Sequence, residues 1–221
     1  MLKAKPPAIF FDLDGTLIDS APDLGGAAEQ MLVARGLPTK GLDAYRLVAS
    51  AGARGILKVA FDAEPTDAGY ESLRLEFLAN YERCMADNTY AFEGVAELLQ
   101  ALRERAIPWG IITNKSIYLA RILVQRMPVL QGAVALVGGD SAAYAKPHAA
   151  PMLLAGQEAG VDMRQCWYVG DDRRDIEAAR AANMACAIAA RWGYVAAPEV
   201  ASWRADLELD RPLDLLAQLA A

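Results

Sequence analysis

Two aspartates two positions apart, Asp12 and Asp14, close the short apolar run Ala8-Ile9-Phe10-Phe11 and are followed by Gly15-Thr16. Side chains along an extended chain repeat every second position, so both carboxylates can project to the same side of a strand end. Two like charges that close are unfavourable unless a cation neutralises them or one carries a proton. Metal binding and acid–base chemistry both use such a pair, although DxDG also opens Ca²⁺ loops and ordinary turns. A second stretch, Thr113-Asn114-Lys115, follows Ile111-Ile112. A hydroxyl and backbone amides at a helix start suit a phosphate oxygen, and suit a plain N-cap as well. Lys146-Pro147 offers a cation for a phosphate or carboxylate, or a surface lysine. The fourth stretch, Gly170-Asp171-Asp172-Arg173-Arg174-Asp175, sets three carboxylates within five residues. Mg²⁺ takes one or two carboxylates and completes its shell with water and substrate oxygens, whereas acidic residues in a first turn also cap helices.

The elements that must position these residues follow from the apolar runs. Short continuous runs closed by Gly or polar residues imply strands buried on both faces, as in a parallel sheet. They occur at Ala8–Phe11, Trp109–Thr113, Val134–Gly138, Cys166–Gly170 and Ala185–Ala189. Helical spacing lies between them, at Val95–Arg103, Ile117–Arg126, Met152–Ala159 and Asp175–Ala182. Alternation of this kind predicts βαβ units and an α/β doubly wound, Rossmann-like parallel sheet, with each chemical stretch at a strand end. Residues 17–89 break the rhythm: Ala27–Leu32, Ala53–Phe61 and Ser72–Cys84 have helical spacing with no buried-strand run between them. The expectation is a core of residues 1–16 and 90–221 carrying an inserted all-helical domain at 17–89, joined by linkers near 16–20 and 87–92.

Composition bounds the partners. The 221 residues are 54% hydrophobic and 23% charged, enough apolar surface for a sizeable core. Net charge is −6, which argues against sequence-independent nucleic-acid binding, a function that needs a basic footprint. Cys84, Cys166 and Cys186 are odd in number and far apart, which implies a reducing compartment and neither a disulfide framework nor a zinc site. No run reaches the length of a membrane span and the N-terminal apolar run is too short for a signal peptide, so the expected location is cytoplasmic. His148, the single histidine, is expected at the surface or behind the chemistry. Arg173 and Arg174 are expected to face solvent, and Trp192, Tyr194 and Trp203 to be packing residues.

Taken in order, strand-DxDGT, strand-TN, KP and strand-GDDxxD resemble the haloacid dehalogenase superfamily of phosphohydrolases, and the helical insertion resembles its C1-type cap. The resemblance covers the whole chain. It implies Asp12 as nucleophile forming an aspartyl-phosphate and Asp14 as the acid and base for leaving group and water. It also implies Mg²⁺ on Asp12, Asp171 and the Asp14 backbone carbonyl, phosphoryl oxygens on Thr113, Asn114 and Lys146, and Asp175 orienting Lys146 or a metal-bound water. Asp14 sets the chain apart from the dehalogenases, which lack a carboxylate there. Phosphomutases keep both aspartates, and a non-catalytic phospho-receiver shares the acidic cluster, Thr and Lys; both are carried as alternatives. Ser141, after Asp140, and Ala149, after Lys-Pro-x, depart from the common pattern. At a finer level Ser50–Arg54, Ala60–Asp62, Leu73–Phe77 and Val169–Glu177 are similar to bacterial phosphatases acting on phosphoglycolate or N-acetylmuramic acid 6-phosphate. Both esters carry a carboxylate, for which Arg54 is the expected partner.

Overall fold

The computed structural model describes residues 5–195 and 197–219. In chain order the strands are β1 (Ile9–Phe11), β2 (Ile18–Asp19), β3 (Tyr90–Ala91), β4 (Trp109–Ile112), β5 (Leu136–Val137), β6 (Trp167–Gly170), β7 (Cys186–Ala190) and β8 (Leu207–Leu209). The helices are α1 (Ala21–Ala34), α2 (Asp43–Arg46), α3 (Gly52–Phe61), α4 (Tyr70–Cys84), α5 (Val95–Glu104), α6 (Ile117–Arg126), α7 (Ala150–Ala159), α8 (Arg173–Ala181), α9 (Ala197–Val200) and α10 (Asp214–Gln218).

Two compact units emerge, Met1–Ile18 with Ala91–Ala221, and Asp19–Tyr90. In the first, six strands run in the order β5-β4-β1-β6-β7-β8, every neighbouring pair parallel. Counted along the sheet alone this is 3-2-1-4-5-6, the doubly wound order, whose direction of winding reverses between β1 and β6. The apolar runs become central strands because both faces are covered: every residue of β1, β6 and β7 is buried. Phe10, Ile112, Val137 and Tyr168 from the sheet pack with Met152 of α7 and Ile176 of α8 in one apolar cluster. Several short elements escaped the sequence reading, among them β2, β3, α9 and α10. Strand β8 is an edge strand of three residues whose Glu208 is exposed, too short to register as a buried run. Helix α2 is a single turn.

The second unit is helical, α1 to α4. Two buried carboxylates organise it. Asp23, in the first turn of α1, accepts from the Asn88 and Thr89 backbone N–H groups and from the Thr89 hydroxyl at 2.6 Å. Asp19 pairs with Arg46 and accepts from the Tyr90 hydroxyl at 2.7 Å. Between the units' sequence ranges, β2 and β3 form a separate two-stranded sheet. Among the described residues no helix is long and apolar enough to cross a membrane, and all three cysteines are free thiols.

Candidate active site

β1 and β6 are neighbours in register, so the residues that follow them leave the sheet side by side. The Asp12 N–H donates to the Val169 carbonyl at 2.9 Å, extending the pairing one residue past β1. Asp12 and Asp171 therefore arrive in the crevice at the winding reversal, where open α/β sheets place ligands. Asp175 joins them from the first turn of α8. One oxygen from each of the three carboxylates lies within 4.8 Å of the others, and all three residues are buried.

Lys146 projects its ammonium into this cluster. Its Nζ lies 2.8 Å from Asp12 Oδ1 and 2.6 Å from Asp175 Oδ1, and donates to the Ile112 carbonyl and the Tyr168 hydroxyl, each at 3.0 Å. The Asp12 contact is an ion pair without aligned hydrogen-bond geometry, since Asp12 Oδ1 is buried and accepts no hydrogen bond. Tyr168 closes the network: its hydroxyl donates to the Ile112 carbonyl at 2.7 Å with Asp175 Oδ1 at 3.2 Å. Nothing in the sequence reading named this tyrosine. The available signal was a hydroxyl inside an otherwise apolar buried strand, which must find a partner.

Asn114 sits beside the cluster, with its side-chain amide turned to the Lys146 backbone. The amide Nδ2 donates to the Lys146 carbonyl and Oδ1 accepts from the Lys146 N–H, both at 2.9 Å. Its side chain thus orders the lysine loop. Thr113 is buried at the end of β4, and its hydroxyl accepts from the Lys115 N–H at 3.1 Å. The N-cap alternative for this stretch falls to Ser116, which accepts from Leu119 N. Asp14 is half-buried, with Oδ2 3.0 Å from Lys115 Nζ.

The GDDxxD stretch divides its carboxylates between helix capping and the acidic cluster. Asp172 is the N-cap of α8 and forms a capping box with Asp175, while Asp171 faces the crevice. Asp171 is held at both oxygens: Oδ1 accepts from the Thr16 hydroxyl and Oδ2 from the Tyr194 N–H, each at 3.0 Å. Two glycines make room for it. A Cβ at Gly15, where φ is +88°, or at Gly193 would collide with the Asp171 carboxylate. Tyr194 and Trp203 are buried as packing residues, yet the loop after β7 also orders the site: the Trp192 indole N–H donates to the Thr16 carbonyl at 2.9 Å. Arg173 is exposed as expected. Arg174 corrects its expectation, being half-buried with both Nε and an Nη 2.8 Å from Asp172.

His148 is exposed, its ring tilted 37° against that of Tyr144, and its Nδ1 accepts from the Ala150 N–H at 3.0 Å. Asp140 caps α6 by accepting from Ile117 N at 2.7 Å. Arg54 lies on α3 of the helical unit and is exposed.

Burial dominates the electrostatics. It pushes the Asp12 carboxyl up to about 7, against the opposing charge of Lys146 and with the repulsion of Asp175. Asp171 is held well above the carboxylate range by burial first and by Asp12 and Asp175 next. Burial pulls the Lys146 ammonium down, but Asp12 and Asp175 outweigh it and the net shift is upward. Three buried carboxylates against one ammonium leave the crevice short of positive charge. Such a set of hard oxygen donors, with Asp12 Oδ1 unbonded, fits a divalent cation such as Mg²⁺. Asp12 and Asp171 are the better placed to hold it. Asp175 already serves Lys146 through Oδ1 and the Asp172 N–H through Oδ2.

Known proteins agree with this geometry. A family model described as haloacid dehalogenase-like hydrolase matches residues 6–183. A phosphoglycolate phosphatase of Xanthomonas campestris pv. campestris is 45% identical over 211 residues, 95% of each chain. An N-acetylmuramic acid 6-phosphate phosphatase of Pseudomonas putida is 39% identical over 209 residues, 94% of this chain and 93% of that one. A crystal structure from Haemophilus somnus, described as a predicted phosphoglycolate phosphatase, superposes with a TM-score of 0.83 at 25% identity, covering 97% of this chain and 98% of that one. With the family model matching most of the chain and these relatives covering nearly all of it, the chain belongs to the haloacid dehalogenase-like hydrolases.

Proposed function

We propose that the protein is a Mg²⁺-dependent phosphatase that hydrolyses a small, carboxylate-bearing phosphate monoester through an aspartyl-phosphate on Asp12. The observation that carries this reading is the meeting of Asp12, Asp171, Asp175 and Lys146 in one buried crevice. Asp12, Asp171 and the Asp14 backbone carbonyl are the groups to hold the cation. When bound, the cation supplies positive charge that keeps Asp12 ionised and draws the phosphoryl group toward it.

Asp12 attacks phosphorus as its carboxylate; a bond forms from Oδ to phosphorus as the bond to the ester oxygen breaks. The departing oxygen takes a proton from the Asp14 carboxyl. Asp14, now a carboxylate, removes a proton from water, whose oxygen attacks phosphorus and releases phosphate and free Asp12. Lys146 draws charge from the phosphoryl oxygens, aided by the Thr113 hydroxyl and the Asn114 N–H. Because the transferred group is anionic throughout, placement and charge neutralisation supply most of the acceleration. Asp175 and Tyr168 orient Lys146. Phosphoglycolate and N-acetylmuramic acid 6-phosphate are the candidate esters, supported by relatives of those names at 45% and 39% identity. For their carboxylate, Arg54 is the sequence-based candidate.

The test is phosphate release from each ester with Mg²⁺, by wild type and Asp12→Asn. Wild type should turn over at least one ester, and acid-quenched protein should carry label from a ³²P-ester. Asp12→Asn should lose about 10³-fold or more in kcat and take no label, while keeping a folded circular dichroism spectrum. Undiminished turnover by Asp12→Asn would overturn the assignment.

A further inference from the structure

We propose that Lys115 is a specificity residue: it binds a carboxylate borne on the carbon next to the ester carbon, and so selects short phosphorylated 2-hydroxy acids. The inference deepens the phosphatase reading and rests on it.

Long cationic side chains at a protein surface ordinarily keep their heads in water. Lys115 turns inward instead: its side chain is 8% exposed and its Nζ lies 3.0 Å from Asp14 Oδ2. The backbone beneath it is fixed at both ends, the N–H donating to Thr113 Oγ1 at 3.1 Å and the carbonyl accepting from Gly139 N at 2.8 Å. Lys115 is thus built into the same strand end as the phosphate-facing residues.

Its distance from the chemistry follows from its partner. Asp14 gives its proton to the departing oxygen, and a proton donor lies within about 3 Å of the atom it serves. An oxygen hydrogen-bonded to Asp14 Oδ2 therefore lies no more than about 6 Å from Lys115 Nζ, the 3.0 Å ion pair included. A carboxylate attached next to the ester carbon falls inside that radius. The Lys115 ammonium, beside Asp14 Oδ2, lies where it can pair with a carboxylate at the near position.

The neighbouring groups do not serve this purpose. Lys146 is enclosed by Asp12, Asp175, Ile112 and Tyr168. The Asn114 amide holds the Lys146 backbone, and Arg174 is forked onto Asp172. Lys115 Nζ, by contrast, lies in ion-pair contact with the acid proposed to meet the leaving group.

The experiment compares kcat/KM for 2-phosphoglycolate with that for ethyl phosphate, an ester of the same length without the carboxylate. Wild type, Lys115→Met and Lys115→Arg are measured with Mg²⁺, with circular dichroism to confirm folding. A charge-assisted contact of this kind predicts a wild-type preference for phosphoglycolate of about 10- to 100-fold, seen mainly in KM. Lys115→Met should bring the ratio near unity whatever its absolute activity, and Lys115→Arg should retain part of it. A wild-type ratio near one, or a ratio that Lys115→Met leaves intact, overturns the inference while the phosphatase reading stands. A wild-type ratio near one overturns the inference even if Lys115→Met does not fold, and Lys115→Arg then supplies the second comparison. No phosphate from either ester, with no labelling of Asp12 by any ester, would remove the phosphatase reading and this inference together.

Discussion

Lys146 is a buried ammonium that stays charged because of what surrounds it. Two carboxylates, a carbonyl and a hydroxyl lie within 3.0 Å of its Nζ. Removing any of them leaves a buried polar group without its partner, which costs about 1–3 kcal/mol. Tyr168 tests this most cleanly, because a phenyl ring replaces it without changing shape. Tyr168→Phe should lose about 1–3 kcal/mol of stability in urea unfolding. Its kcat should fall about tenfold with KM little changed, because Lys146 loses a fixed donor–acceptor neighbour that matters most as charge develops on the phosphoryl group. A KM effect with unchanged kcat would instead make Tyr168 part of ground-state binding.

At the scale of elements, the side chains proposed to do the chemistry are delivered by strand ends and held by neighbouring loops. The loop after β7 is the clearest instance: the Tyr194 N–H and the close approach of Gly193 fix Asp171 from one side, and Thr16 fixes it from the other. Partners that orient a metal-binding carboxylate commonly contribute 10- to 100-fold in metal affinity. Gly193→Ala forces a methyl group into the Asp171 carboxylate, so Mg²⁺ affinity measured by titration calorimetry should drop about tenfold or more. Overpacking should also lower stability by about 1–3 kcal/mol. The first turn of α8 follows the same logic. Asp172 caps the helix, so Asp175, three residues on, arrives at Lys146 with its rotamer set by the capping box.

For the molecule as a whole, the crevice makes stability depend on pH and metal together. Asp12 titrates near 7 in the folded chain against an ordinary value of 3.8, so the folded state holds a proton that the unfolded state has released. Its contribution to stability is fully present below about 4 and is lost as pH rises through about 7; Asp171, also raised, acts in the same direction. A divalent cation competes with those protons. Saturating Mg²⁺ should therefore raise Tm more at pH 8 than at pH 6, and EDTA should erase the difference. Equal Mg²⁺ shifts at the two pH values would show that the cation binds elsewhere. The net charge of −6 is compatible with a small-molecule substrate and unfavourable for nucleic acid.

The strand ends were legible in the sequence because a central parallel strand must be apolar on both faces, which leaves an unmistakable run: Ile9–Phe11 and Trp167–Gly170 are buried throughout. The same runs located Asp12 and Asp171, since the first charged residue after a buried apolar strand marks where the strand ends and the crevice begins. Short or half-exposed elements such as α2 and β8 left no such pattern. Partner choice was illegible for a different reason. Whether Asn114 grips a ligand or the Lys146 backbone, whether Tyr168 finds Lys146, and which carboxylate Lys115 meets depend on approaches between residues far apart in the chain. Local pattern encodes which residues leave the sheet and where; the distances between them, and hence the charge each one feels, exist only once β1, β4 and β6 lie side by side.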